Sequence, residues 1–320
     1  MTGSSLKILL VGRHGQLAWE LQRCLPKLGS IIVMGRPEID LANPDSLREI
    51  IRQLEPTVVV NAAAYTAVDQ AEAEPEVAWK VNAEAPRVMA EEAERLDGLF
   101  INFSSDYVFD GAKLSPYTES DVPNPLSAYG AGKLAGDRAV EALASAYLVF
   151  RTSWVYGARG KNFLCTILRL AAEQDELRVV ADQIGAPTWS RDIAHATFQI
   201  LEQLAAELPS SGTARVSEVL RDRRGLYNMT SEGGTSWCGF ATAIVEEMRR
   251  RGMNEGRLPT IVPISTEGYP AAAPRPRNSQ LSTEKLRCTF GITLPDWRAS
   301  LTKVIEEVSE QRTPAMQNTP

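Results

Sequence analysis

The chain has 320 residues, 44% of them hydrophobic and 23% charged, and a formal net charge of −6. That suits one large α/β domain or two smaller ones, and the acidic balance offers no footprint for nucleic acid or an anionic membrane. Two histidines and four widely spaced cysteines, with no Cys-x-x-Cys pair, argue against a metal centre or disulfide framework and for a reduced, cytoplasmic setting.

Residues 1–5 read as a loose leader, with no signal-peptide pattern and no run approaching the roughly 18 apolar residues of a membrane span. Leu6–Val11 is a short apolar run of the buried parallel-strand type. It leads into Gly12-x-x-Gly15-x-x-Ala18, where the period turns helical. In that context glycines let the backbone approach a pyrophosphate, and the helix N-terminus offers amides and partial positive charge. Because the third position is Ala18, a plain strand-to-helix turn is the competing reading. A second strand, Ile31–Met34, ends at Gly35-Arg36. Dinucleotide folds place an acid there for a ribose, or an arginine for a 2′-phosphate. Arg36, with Arg13 in the preceding turn, predicts NADPH over NADH; two solvated arginines are the alternative. Asn43-Pro44-Asp45-Ser46 caps a helix over Leu47–Leu54.

The third strand, Thr57–Val60, opens into Asn61-Ala62-Ala63-Ala64-Tyr65-Thr66. Small residues at the carboxyl edge of a sheet let a ribose or flat ring lie against the backbone. A helical segment follows over Glu76–Leu96. The fourth strand, Leu99–Phe103, ends in Ser104-Ser105-Asp106-Tyr107, whose hydroxyls are placed to bind a carbonyl oxygen or simply to cap a turn. In Ser127-Ala128-Tyr129-Gly130-Ala131-Gly132-Lys133, Tyr129 and Lys133 stand four apart on one helical face. A free tyrosine titrates near about 10; an adjacent ammonium favours the phenolate and predicts a lowered, tuned acid able to protonate an alkoxide. The same spacing also occurs on ordinary solvated helices. After a fifth strand, Ala146–Phe150, Trp154 in the loop Arg151–Gly157 is placed to pack on a sugar or base, or to serve the core. The alternation predicts a doubly wound parallel sheet of Rossmann type.

Past Gly157, helices are predicted over Asn162–Glu173, Ile193–Leu208, Trp237–Arg251 with Ser236 as cap, Ser282–Phe290 and Asp296–Glu307. Val179-Val180 reads as a short strand and Leu226–Met229 as one returning to the core. Pro209–Gly225 reads as a mobile surface excursion. Tyr269–Asn278 is too proline-rich for a regular element, and its Arg275 and Arg277 suit either a diphosphate or solvent. Residues 311–320 read as a frayed tail. Residues 6–157 are thus expected to form mainly a dinucleotide-binding domain. Residues 158–310 would form mainly a smaller α/β substrate region, with some segments returning to the Rossmann core.

The strings Gly12-x-x-Gly15-Gln16-Leu17, Asn61-Ala-Ala-Ala-Tyr-Thr-Ala-Val-Asp69, Ser104-Ser-Asp-Tyr-Val-Phe-Asp-Gly111, Tyr129-Gly-x-x-Lys133-Leu-Ala-Gly136, Arg151-Thr-Ser-Trp-Val-Tyr156, Asp182-Gln-x-Gly-Ala-Pro-Thr188 and Arg275-Pro-x-Asn-Ser279 resemble the extended short-chain dehydrogenase/reductase superfamily. Within it they are most similar to the family that reduces the 4-keto group of dTDP-4-dehydro-L-rhamnose. The resemblance implies hydride from NADPH, with NADH as an alternative, and a proton from Tyr129. It implies that Lys133 binds the nicotinamide ribose and lowers the Tyr129 pKa, and that Ser105 polarises the carbonyl where relatives use threonine. Gly12, Gly15, Gln16 and Leu17 would meet the pyrophosphate, Arg36, Asp40 and Leu41 the adenosine end, and Ala63, Ala64, Tyr65 and Thr66 the ribose and nicotinamide path. Asp106, Tyr107, Trp154 and Arg275 would bind the nucleotide sugar. Some relatives dimerise through a metal held by glutamates; Glu20 fits one position but Trp189-Ser190-Arg191 offers no second, so no metal is expected and a homodimer is left open. Two other readings stand beside this one. They are a non-catalytic NADP-binding regulatory subunit and another nucleotide-sugar enzyme, such as an epimerase or a 4,6-dehydratase. A dehydratase calls for glutamate where Tyr107 stands.

Overall fold

Branched and aromatic runs buried on both faces build a central parallel sheet in the computed structural model, which describes residues 6–207 and 215–312. The first half runs β1 (Leu6–Val11), α1 (Gln16–Cys24), β2 (Gly29–Met34), α2 (Pro44–Leu54), β3 (Val58–Asn61), α3 (Val68–Ala73), α4 (Pro75–Trp79), α5 (Ala85–Arg95), β4 (Leu99–Ser105), α6 (Ala128–Leu143) and β5 (Tyr147–Thr152). It continues with β6 (Val155–Tyr156), α7 (Phe163–Glu173), β7 (Glu176–Val180), β8 (Ile184–Gly185), β9 (Thr188–Trp189), α8 (Ser190–Glu207), α9 (Val216–Val219) and β10 (Gly225–Asn228). The chain closes with β11 (Thr235–Ser236), α10 (Trp237–Arg250), β12 (Thr260–Ile264), α11 (Glu284–Phe290) and α12 (Trp297–Arg312).

The six-stranded sheet has the order β10-β5-β4-β3-β1-β2, every neighbour parallel. Alternate side chains of β1 serve opposite layers. Leu6, Ile8 and Leu10 join a core with Leu21 of α1 and Ile193 of α8, whereas Leu9 and Val11 join Leu47 of α2 and Val88 of α5. The chain leaves β1 for β2 on one side and returns to β3 on the other. That reversal opens a crevice at the carboxyl ends of β1 and β3, where open α/β sheets bind ligands.

Helix starts follow the sequence closely because side chains cap them. Asn43 accepts from the Ser46 amide, Ser127 from Gly130, Asn162 from Cys165 and Ser236 from Gly239. Other expectations need correction. The segment expected as one helix over Glu76–Leu96 is α4, a π-turn at Lys80–Glu84, and α5. Pro86, at the second position of α5, has no N–H to offer the Asn82 carbonyl, so the α-helical pattern is broken there. Thr260–Ile264, where no element was expected, is β12; it pairs with β7, which runs from Glu176 rather than covering Val179-Val180 alone. The excursion expected over Pro209–Gly225 lies partly outside the described residues. Its described part contains α9 and the fully buried Leu220, so it packs on the core rather than ranging over the surface. The leader 1–5 and residues 313–320 of the expected tail lie outside the described residues; α12 itself runs on to Arg312 rather than ending at Glu307.

The two halves are interleaved. Strand β10 pairs with β5, and Ile193, Leu201, Tyr227 and Phe290 from the later half share a core with β1, β3 and β4. A separate cluster around Phe240, Ile244, Trp297 and Leu301 holds α7, α10 and α12 together.

Candidate active site

The crevice is a cleft of about 860 Å³ lined by Gly12, Gly15, Gln16, Leu17, Arg36, Leu41, Ala63, Ala64, Tyr65, Thr66, Tyr129 and Lys133. Twelve residues scattered over 122 positions of sequence thus converge because each follows, or faces, the carboxyl end of a sheet strand. At Gly12 the backbone has φ +114, and a Cβ would stand 3.2 Å from the Ala62 carbonyl group, so only glycine lets the β1 and β3 ends approach. Helix α1 starts at Gly15 without a side-chain cap, leaving its first-turn amides for a ligand. The Gln16 carboxamide is turned away from such a role, donating to the Val155 carbonyl at 2.9 Å and accepting from Asn162 at 3.2 Å. On the far wall, Asn82 holds Tyr65 with two hydrogen bonds, one to its N–H at 2.9 Å and one to its carbonyl at 3.0 Å. A long groove with an uncapped helix end at its middle fits a dinucleotide diphosphate.

At the adenosine end Gly35-Arg36 carries no acid, but one further along the loop partners Arg13. Glu38, folded back beyond the strand, accepts from Arg13 Nη1 at 2.6 Å, while Arg13 Nη2 donates to the Val33 carbonyl at 3.0 Å. Its own backbone hydrogen bond and the Arg13 contact hold the Glu38 carboxyl below the usual range. Arg36 remains exposed and only 3.8 Å from Asp40. Asp40 itself caps the Ala42 amide at 3.1 Å and does not line the cleft.

At the inner end β4 delivers Ser105 beside the first turn of α6, where the Ser127 cap fixes Tyr129. The Ser105 hydroxyl donates to Asp106 Oδ1 at 2.9 Å, accepts from the Tyr107 amide at 3.1 Å and is hydrogen-bonded to Tyr129. Lys133 is buried and donates from Nζ to the Phe103 carbonyl at 2.6 Å. This reverses the expected tuning. The ammonium is spent on a backbone carbonyl, and burial, with Asp106 and Asp137 adding negative charge nearby, pushes Tyr129 up to about 12. Burial also draws Lys133 down to about 8 against the pull of Asp137. It raises Asp106 to about 7, opposed by hydrogen bonds from Ser279 and Ser105. Beneath the site, Asp137 accepts from Ser104 at 2.9 Å and from Arg151 Nε at 3.2 Å.

Tyr107 stands edge-on to Tyr129, ring centroids 5.9 Å apart, and hydrogen-bonds Arg275. Two expected sugar contacts look elsewhere. Trp154 lies flat on Trp237 at 3.5 Å between ring centroids, outside the lining of the large cleft. Arg275 grips Asp69 with both Nη atoms, at 2.5 and 2.7 Å, and Arg277 pairs with Glu267 at 3.2 Å. Glu20 is held by Arg191, which also reaches Glu307 at 2.7 Å. Sequence reasoning passed over Glu38, Asp69, Asn82 and Asp137 as parts of the site. Only Asp137 carried a local signal, four residues beyond Lys133 on the same helical face.

Sheet order, glycine turn and the tyrosine–lysine helix beside a strand-end hydroxyl define a Rossmann-type protein of the short-chain dehydrogenase/reductase class. The family model described as "RmlD substrate binding domain" matches residues 6–310, and the chain belongs to that family. A dTDP-4-dehydrorhamnose reductase of Burkholderia thailandensis is 48% identical over 96% of this chain and 100% of its own length. Among solved structures, a dTDP-4-dehydrorhamnose reductase from Clostridium acetobutylicum superposes with TM-score 0.84 at 34% identity, covering 95% of this chain and 100% of that one. One from Bacillus anthracis, in complex with NADP, gives 0.83 at 32% identity, covering 95% and 99%.

Proposed function

We propose that this chain is an NADPH-dependent oxidoreductase that reduces the 4-keto group of dTDP-4-dehydro-L-rhamnose to give dTDP-L-rhamnose, a step of nucleotide-sugar biosynthesis. Full-length relatives carry that name at up to 48% identity, and the observation that carries the chemistry is the Ser105–Tyr129 hydroxyl hydrogen bond, with Tyr129 and Lys133 both lining the cleft.

NADPH, when bound in the cleft, would supply the hydride for C4. Tyr129 passes its hydroxyl proton to O4 as the carbonyl becomes an alcohol, and Ser105 donates a hydrogen bond to the same oxygen while charge grows on it. A phenol held near 12 is a proton donor at neutral pH, which is the state reduction needs. Lys133, which lines the cleft, would hold the nicotinamide ribose. The α1 amides take the pyrophosphate, Ala63 to Thr66 the ribose path, and Arg36 a 2′-phosphate. Asp106 and Tyr107 form the sugar side. The bound NADP of the Bacillus anthracis relative supports this cofactor, and NADH remains an accepted alternative because Glu38 partly cancels Arg13.

No helix among the described residues is long and apolar enough to cross a membrane, and the four cysteines form no disulfide. A cytoplasmic location belongs to the same proposal, as suits a step of nucleotide-sugar biosynthesis. A homodimer is proposed on the family resemblance alone, and sedimentation equilibrium decides it.

Incubation with NADPH and dTDP-4-dehydro-L-rhamnose is expected to form one dTDP-L-rhamnose per NADPH consumed. Binding of NADPH without turnover would instead favour a regulatory subunit. An unsaturated sugar product would favour a dehydratase.

A further inference from the structure

The segment 273–279 of the later half crosses onto the cofactor half and is pinned along its length. Asn278 donates to the Lys113 and Ser115 carbonyls at 2.7 and 3.1 Å, and Ile184 accepts the Ser279 amide at 2.7 Å. At Gly111, φ +75, a Cβ would stand 2.6 Å from Pro276 Cβ and the Arg277 amide, so the strap lies directly on the loop that follows Tyr107. Its outer end is tied to a single carboxylate. Asp69 Oδ1 accepts from Arg275 Nη1 at 2.5 Å and from the Ala273 amide at 3.0 Å, and Oδ2 accepts from Arg275 Nη2 at 2.7 Å. This is a fork-on-fork pair between residues 206 apart in sequence. Asp69 stands in the first turn of α3, immediately after the loop Ala62–Ala67 that forms the cofactor wall. The same guanidinium hydrogen-bonds Tyr107, whose ring meets the edge of Tyr129.

We propose that Asp69 and Arg275 form a clasp between the cofactor wall and the sugar side, a pair of positioning residues that fixes Tyr107 against Tyr129 and so sets affinity for the nucleotide sugar. This rests on the reductase reading above. Arg275 acts through Asp69 and Tyr107. Its planar fork is already filled by a carboxylate, so it is not a free anion receptor for the diphosphate.

The test is a double-mutant cycle on the full-length enzyme, with kcat, KM for dTDP-4-dehydro-L-rhamnose and NADPH Kd by fluorescence read for each variant. Asp69→Asn and Arg275→Ala are each expected to raise KM about tenfold, change kcat less than about twofold and leave NADPH Kd within about twofold. The double variant is expected to be no worse than the poorer single one. Arg275→Lys, which keeps the charge but cannot make two parallel bonds, is expected to resemble Arg275→Ala. The swapped pair Asp69→Arg with Arg275→Asp is expected to recover part of the loss. Additive effects, or a normal KM in Asp69→Asn beside a large rise in Arg275→Ala, would overturn the clasp and return Arg275 to direct substrate contact. A wild type that binds NADPH but turns over no dTDP-4-dehydro-L-rhamnose sinks the reductase reading instead, and so tells the two failures apart.

Discussion

Ser105 cannot serve two acceptors with one proton. While its hydroxyl donates to an ionised Asp106 at 2.9 Å, it has nothing to offer a carbonyl oxygen. When Asp106 is protonated, its own O–H can donate to Ser105 and release that hydroxyl toward O4. Burial places the Asp106 titration at about 7, far above an ordinary aspartate, so the productive form is the one present below that pH. Lys133, drawn to about 8, loses its charge on the same side. The folded pKa of Asp106 is raised, so its protonated form stabilises the fold below the ordinary aspartate range, and that contribution is lost as pH rises from there through about 7 and does not change further above it. The kcat/KM profile is expected to decline as pH rises through 7 to 8, with no acid limb from these groups; Asp106→Asn is expected to flatten the first part of the decline. An unchanged limb in that variant would remove Asp106 from the relay.

At the other end of the cleft, Glu38 offsets Arg13 where a 2′-phosphate would approach. Glu38→Gln is expected to tighten NADPH by a few-fold, as suits a screened surface charge, with NADH altered less than about twofold. Equal changes for both cofactors would mean that Glu38 does not select between them.

Among the elements, α6 decides the site because it carries Tyr129 and Lys133 from a start set by one side chain. The Ser127 hydroxyl accepts from the Gly130 amide at 3.1 Å, so Ser127→Ala is expected to cost about 1 kcal/mol of stability, read as a lower Tm, with a larger loss in kcat than in NADPH binding. Elements of this kind were legible in the sequence. A strand, a glycine turn, a cap and an i,i+4 pair are local patterns, and the structure brings Gly12, Gly15, Gln16, Leu17, Tyr129 and Lys133 to one cleft. What stayed hidden was decided by distant partners. Asp69 meets Arg275 across 206 residues, Trp154 finds Trp237, and β12 is a strand only because β7 lies beside it. The direction of the Tyr129 shift was hidden for the same reason, since the carbonyl that accepts the Lys133 hydrogen bond comes from Phe103 on β4.

For the whole molecule, the boundary at residue 157 marks a change in chemistry but not a separable folding unit. Strand β10 closes one edge of the sheet by pairing with β5, and α8 and α11 cover one of its faces. A fragment of residues 6–157 would expose that edge and the apolar surface under Ile193, Leu201 and Phe290. It is expected to aggregate or melt without cooperativity, whereas the full chain is expected to give a single calorimetric transition; an independently stable fragment would show the interleaving to be dispensable.

The central claim is that this fold brings a tyrosine proton to the oxygen of a nucleotide-sugar ketone, and Tyr129→Phe tests it most directly, with turnover of dTDP-4-dehydro-L-rhamnose and NADPH affinity measured side by side. The variant is expected to bind NADPH within about twofold of wild type and to lose at least about a hundredfold in kcat. Full turnover by the variant would contradict the account.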